Sequence, residues 1–162
     1  MIMPATAMQV LTVGLEREVF ALDAGRVSEI LDAVPVTEVP NARPFVSGVI
    51  NVRGKVVPLA DLRLRFGMEC AAASLDTRIV VIEVDLDGEP TTVGILADKV
   101  YEVTEIASAS IEETPRVGMR WRPEFIKGIG KKDADFIIVL DIDRVFNSEG
   151  PAMEGPSEAE KN

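Results

Sequence analysis

Histidine is absent from the 162 residues, and cysteine occurs once, as Cys70. The first absence removes the commonest general base, the commonest metal ligand and any histidine phosphoacceptor. The second rules out an internal disulfide, and no Cys/His set remains to hold a structural zinc, so no cofactor or metal is expected. A reducing, cytoplasmic setting is the expectation. Basic charge is also scarce. Seventeen Lys and Arg stand against 27 Asp and Glu, for a net charge of −10. That field repels phosphate backbones and anionic headgroups while keeping a soluble protein dispersed, so nucleic acid is not expected as a partner. Direct membrane insertion is not expected either. No apolar run approaches the roughly 20 residues a membrane span needs, and Met1-Ile2-Met3-Pro4 lacks the basic and apolar regions of a signal peptide.

What is present is enough apolar residue, 47% of the chain, to bury a sizeable core in one compact unit. Most of it lies in short runs with strand character. Val10 to Leu22 predicts two strands joined through Leu15-Glu16-Arg17-Glu18, and Val27 to Leu31 predicts a strand or one helical turn. Pro35, Pro40 and Pro44 break the stretch that follows. Val49 to Arg53 and Val56 to Leu59 flank Gly54-Lys55 as a hairpin, with Pro58 expected at an edge or bulge. Asp61 to Gly67 predicts a short helix capped by Asp61 and stopped by Gly67, and Ala71 to Asp76 a linker. Ile79 to Val84, the Asp87-Gly88 turn, and Thr91 to Val103 then predict further strands.

The chain also echoes itself. Arg26-Val27-Ser28-Glu29-Ile30 answers Lys99-Val100-Tyr101-Glu102-Val103. One constant offset carries Phe45-Val46-Ser47-Gly48-Val49 onto Phe125-Ile126-Lys127-Gly128-Ile129 and Asp61 to Phe66 onto Asp141 to Phe146. Two repeats, each of about five short strands and one helical turn, predict two small β-barrels packed together. Each alone would be marginal, because a ~60-residue unit buries only about 60% of its unfolded surface. The expected organisation is an N-terminal tail over 1–8, a first barrel over 9–69, a second over 77–148, and a disordered acidic tail over 149–162.

Chemical motifs are weak by comparison. Gly128-Ile129-Gly130 followed by Lys131-Lys132 lacks the helix a phosphate cradle requires. The carboxylates Asp85, Asp87, Glu102, Glu105, Glu112 and Glu113 are most simply solvated, and Cys70 has no base beside it. Catalysis is therefore not expected. Arg53, between an apolar strand and Gly54, reads either as a solvated hairpin tip or as an interface anchor, since its planar fork makes several directed hydrogen bonds.

These residues resemble the CheW family of chemotaxis coupling proteins. The resemblance is carried by Val27-Ser28-Glu29-Ile30, Pro40, Phe45 through Gly54, Val57-Pro58-Leu59-Ala60-Asp61-Leu62-Arg63, Gly94 through Val100, and Ile126-Lys127-Gly128-Ile129. It spans roughly Val10 to Asn147 and departs modestly, with Val52 in place of a usual leucine and Ala97-Asp98 in place of Val-Asp. It implies a mostly β fold, two SH3-like five-stranded β-barrels packed around a shared core with short helical turns. It also implies a non-enzymatic adaptor recruited to receptor arrays, binding the cytoplasmic tip of a chemoreceptor and the regulatory domain of a CheA-type histidine kinase. By that resemblance Arg53 is a receptor contact with Glu29 beside the same surface, and Val27 and Gly48 lie at or near partner-contacting positions. A scaffold of a non-flagellar chemosensory pathway, a detached kinase regulatory domain, and a small-barrel ligand-binding module or enzyme remain as alternatives.

Overall fold

The computed structural model describes residues 7–16, 18–40, 45–70, 72–107, 123–132 and 135–147. Among these residues ten strands and two short helices follow in order: β1 (Ala7–Leu15), β2 (Glu18–Asp23), β3 (Val27–Asp32), β4 (Val46–Val52), β5 (Lys55–Ala60), α1 (Leu62–Arg65), β6 (Arg78–Leu86), β7 (Glu89–Ala97), β8 (Lys99–Ala107), β9 (Ile126–Lys132), β10 (Asp135–Leu140) and α2 (Ile142–Asn147). Single 3-10 turns, Ala24–Arg26 and Pro123–Phe125, lead into β3 and β9. Ala7 and Met8, expected in a tail, already pair with β8. The expected tail over 149–162 lies outside the described residues.

Local chemistry explains the turns. In the β6–β7 hairpin Asp87 and Gly88 both have positive φ, 54° and 88°, matching the twist of the flanking strands. The β4–β5 turn sits one residue earlier than expected: its central pair is Arg53-Gly54, and Lys55 opens β5 opposite Val52. Asn51 Oδ1 holds it there by accepting from Gly54 N at 2.7 Å. The Asp61 carboxylate caps α1 by accepting from Arg63 N at 3.0 Å, and Gly67 at φ 70° ends the turn. Pro58 lies in an inner strand rather than at an edge, but parallel pairing of β5 with β7 begins only at Leu59.

The strands form two five-stranded sheets, ordered β8-β1-β2-β10-β9 and β3-β6-β7-β5-β4. Within each, antiparallel hairpins are joined by one parallel seam: β2 with β10 and β5 with β7. The sheets curl as the two barrels require, but they do not follow the expected division into 9–69 and 77–148. Each repeat keeps its first hairpin in one sheet and sends its other three strands to the other. A repeated sequence specifies the same strand pattern twice without specifying which copy's hairpin completes which sheet.

The core divides accordingly. Ile50, Val57, Leu59, Ile79 and Val81 fill one barrel, and Val10, Ala21, Ile106, Ile137 and Val139 fill the other. The largest cluster lies between them, with Leu15, Phe20, Phe45, Phe66, Phe125 and Phe146 among its members. α1 and α2 contribute Leu62 and Ile142 to it, which is why four- and six-residue helices persist: tertiary burial, rather than helix propensity, holds them.

Candidate partner-binding surface

Arg53 stands at the tip of the β4–β5 hairpin with φ 52°, a left-handed conformation unusual for arginine. The tip lifts its side chain clear of the sheet, leaving it 81% exposed. Glu29 lies on β3, at the opposite edge in strand order, yet its Oε1 accepts from Arg53 Nη2 at 3.2 Å. The curl of the sheet brings its edges together, and a second contact fixes the closure. Thr37 and Val49 exchange backbone hydrogen bonds of 2.9 and 2.8 Å. An exposed ion pair of this kind contributes about 0–1 kcal/mol to stability, so its main effect is to aim a guanidinium whose remaining donors face solvent.

Gly48 and Val27 sit differently. Both lie at irregularities in strand register, Gly48 where β4 shifts against β5 and Val27 where β3 shifts against β6. Gly48 is buried, and a Cβ there would fall 2.2 Å from the Thr37 carbonyl oxygen, so the close approach of two backbones requires glycine. Val27 is half-buried against the central cluster. Of the four expected residues, the structure joins Arg53 with Glu29, while Val27 and Gly48 shape the elements around them. Sequence reading missed the exposed apolar side chains nearby in the chain: Ile30 beside Glu29, and Val56, 75% exposed, beside the tip. Alternation along β3 is the signal that exposes Ile30.

A second polar cluster is buried. Arg63 on α1, with its side chain only 6% exposed, makes paired bonds to the Asp61 carboxylate and a 2.7 Å bond to Asp98 Oδ1. The Asp61 hydrogen bond raises its already high pKa, so the guanidinium is permanently charged. Asp98 Oδ2 in turn accepts from Glu16 N at 2.7 Å. Beside it a cleft of about 410 Å³ is lined by Glu16, Glu69, Cys70 and Asp98. Burial, followed by Asp61, pushes the Cys70 thiol up, away from the thiolate a nucleophile needs.

The remaining candidates do not converge. Gly128-Ile129-Gly130 lies within β9 rather than in a phosphate loop. Asp85 accepts from Gly88 N in the β6–β7 turn, and Glu112 and Glu113 lie outside the described residues. Among the described residues no group of three His, Cys, Asp or Glu is placed to hold a metal ion, and no helix is long and apolar enough to cross a membrane.

Two curled five-stranded sheets around a common core, with an exposed arginine at one hairpin tip, define a paired-barrel domain. The chain belongs to the CheW-like domain family, whose profile matches residues 9–150. It is 32% identical over 130 residues to the chemotaxis protein CheW of Rhizobium meliloti, covering 80% of this chain and 81% of that one. Its match to Protein PilI of Pseudomonas aeruginosa is 28% over 120 residues, covering 74% and 65%. The crystal structure of the scaffolding protein TtCheW from Thermoanaerobacter tengcongensis superposes with a TM-score of 0.78 at 32% identity, covering 93% and 94% of the two chains.

Proposed function

We propose that this chain is a non-enzymatic, cytoplasmic adaptor that couples the cytoplasmic tip of a chemoreceptor to the regulatory domain of a CheA-type histidine kinase and is recruited with them to receptor arrays. The observation that carries this reading is the Arg53–Glu29 tip in a domain whose relatives are named chemotaxis proteins and scaffolds. An arginine held ready by a partly buried carboxylate, with exposed Val56 close to the tip in sequence, combines a charged, directional anchor with apolar area to bury, as protein-binding patches do. Holding receptor and kinase at once raises their effective local concentration without any bond being made or broken.

The test is co-sedimentation. Arg53→Asp reverses the charge at the tip and is expected to abolish co-sedimentation with receptor arrays and kinase while leaving the melting temperature nearly unchanged. Retained co-sedimentation would remove Arg53 from the contact, and a large loss of stability would make it structural. The match to Protein PilI favours a second reading, the same scaffold serving a chemosensory pathway with another output. Identification of the receptor and kinase captured from native cells separates the two.

A further inference from the structure

The two sheets have one strand order once each strand is named by its place in its repeat, and the equivalence extends to single contacts. The seam pair Leu59 with Gly94 answers Val139 with Ala21. The ring pair Phe66–Phe125, 6.2 Å between centroids, answers Phe146–Phe45 at 5.7 Å. A backbone this symmetric gives the first repeat no topological reason to prefer the second repeat over another copy of itself.

Side chains at three equivalent places remove that ambiguity. Arg63 on α1 crosses to Asp98 at the β7–β8 turn. Its counterpart on α2 is Asp143, which crosses to Arg26 in front of β3 with the charges reversed, two bonds of 2.7 Å. Across the boundary between repeats the first thus supplies both arginines and the second both aspartates, while Asp61 of the first repeat holds the rest of the Arg63 guanidinium. The third place is where a residue meets its own counterpart. Arg65 Nε donates to the carbonyl of Val145 at 3.3 Å, and its guanidinium lies 5.1 and 4.9 Å from the rings of Phe45 and Phe125. Two first repeats joined in this frame would set Arg63 against Arg26 and Arg65 against Arg65. Two second repeats would set Asp143 beside Asp98 but also opposite Lys99, which stands at the position of Arg26 with its ammonium 5.3 Å from the Tyr101 ring. Like charges therefore disfavour the pair of first repeats above all, because arginine cannot escape by losing its proton.

We propose that the first repeat (7–70) carries a cationic pairing code, Arg26, Arg63 and Arg65, that admits only a second repeat as its partner, from the same chain or from a second copy. To test this, the full chain is cut at a protease site inserted in the exposed 72–76 segment, unfolded in urea, refolded and examined by native mass spectrometry. A parallel sample mixes isotope-labelled with unlabelled cut chains. The expected product contains each fragment once, with like pairs absent and label scrambled between fragments in the mixture. Like pairs as abundant as unlike ones, or fragments that do not reassemble, overturn the proposal. Arg65→Val, which copies the second repeat's residue, is expected to raise pairs of the first fragment. An unchanged product distribution in that variant removes the axial arginine from the code and overturns the proposal as stated.

Discussion

A single buried arginine separates structural from interaction chemistry in this chain. Arg63 satisfies Asp61 and Asp98, and removing it leaves Asp61, itself only 7% exposed, without its ion partner. Arg63→Met is therefore expected to cost about 3–5 kcal/mol in urea denaturation, against roughly 1 kcal/mol or less for Arg53→Asp. Gly48→Ala is expected to destabilise by about 2 kcal/mol or more by the same measurement, because its new Cβ meets backbone rather than a side chain that can turn away. That Arg53 lies at the turn was legible from the glycine beside it, whereas the residues alone left open whether it is a solvated tip or an interface anchor. Its pairing with Glu29 was not, since that depends on how far the sheet curls. The burial of Arg63 was equally hidden: its partner Asp98 comes from the other repeat, and the spacing of charges along α1 shows only a short helix with polar residues.

At the scale of elements, α2 is tied down by charge as well as by Val145 and Phe146. The Asp143 carboxylate accepts two bonds from Arg26 and one from Asp85 N, and the Arg26 bond holds its pKa below the usual carboxylate range. A depressed folded pKa means that the stabilisation is complete above about pH 4, the unfolded value, and is lost as pH falls through the folded one. Asp143→Asn is thus expected to lower stability at pH 7 by up to about 1 kcal/mol and to match the parent protein once acid has protonated the carboxyl, which urea titrations at several pH values would show. Equal deficits at every pH would mean that the bond to Asp85 N matters and the charge does not. Strands and hairpins were legible from periodicity and turn residues. The displaced β4–β5 turn was missed because the side chain of Asn51, rather than the glycine alone, sets its register.

For the whole molecule, the repeat in the sequence announced two like barrels, and two like sheets are present. Their exchange of strands was not announced, because hydrophobic patterning fixes which face of a strand is buried and leaves open which neighbour it joins. Such exchange is expected to couple the halves thermodynamically. Heating is expected to give one cooperative transition with calorimetric and van't Hoff enthalpies in agreement, and the two barrels should lose their slowest-exchanging amides together. Two separable transitions would show that the barrels are independent after all. The parallel seams carry a mechanical consequence. β2 grips β10 and β5 grips β7 across the boundary between repeats, so a tug on the Arg53 hairpin strains strands belonging to both. A load applied at that hairpin is thereby shared between the two repeats, much as two hands with interlocked fingers resist being drawn apart.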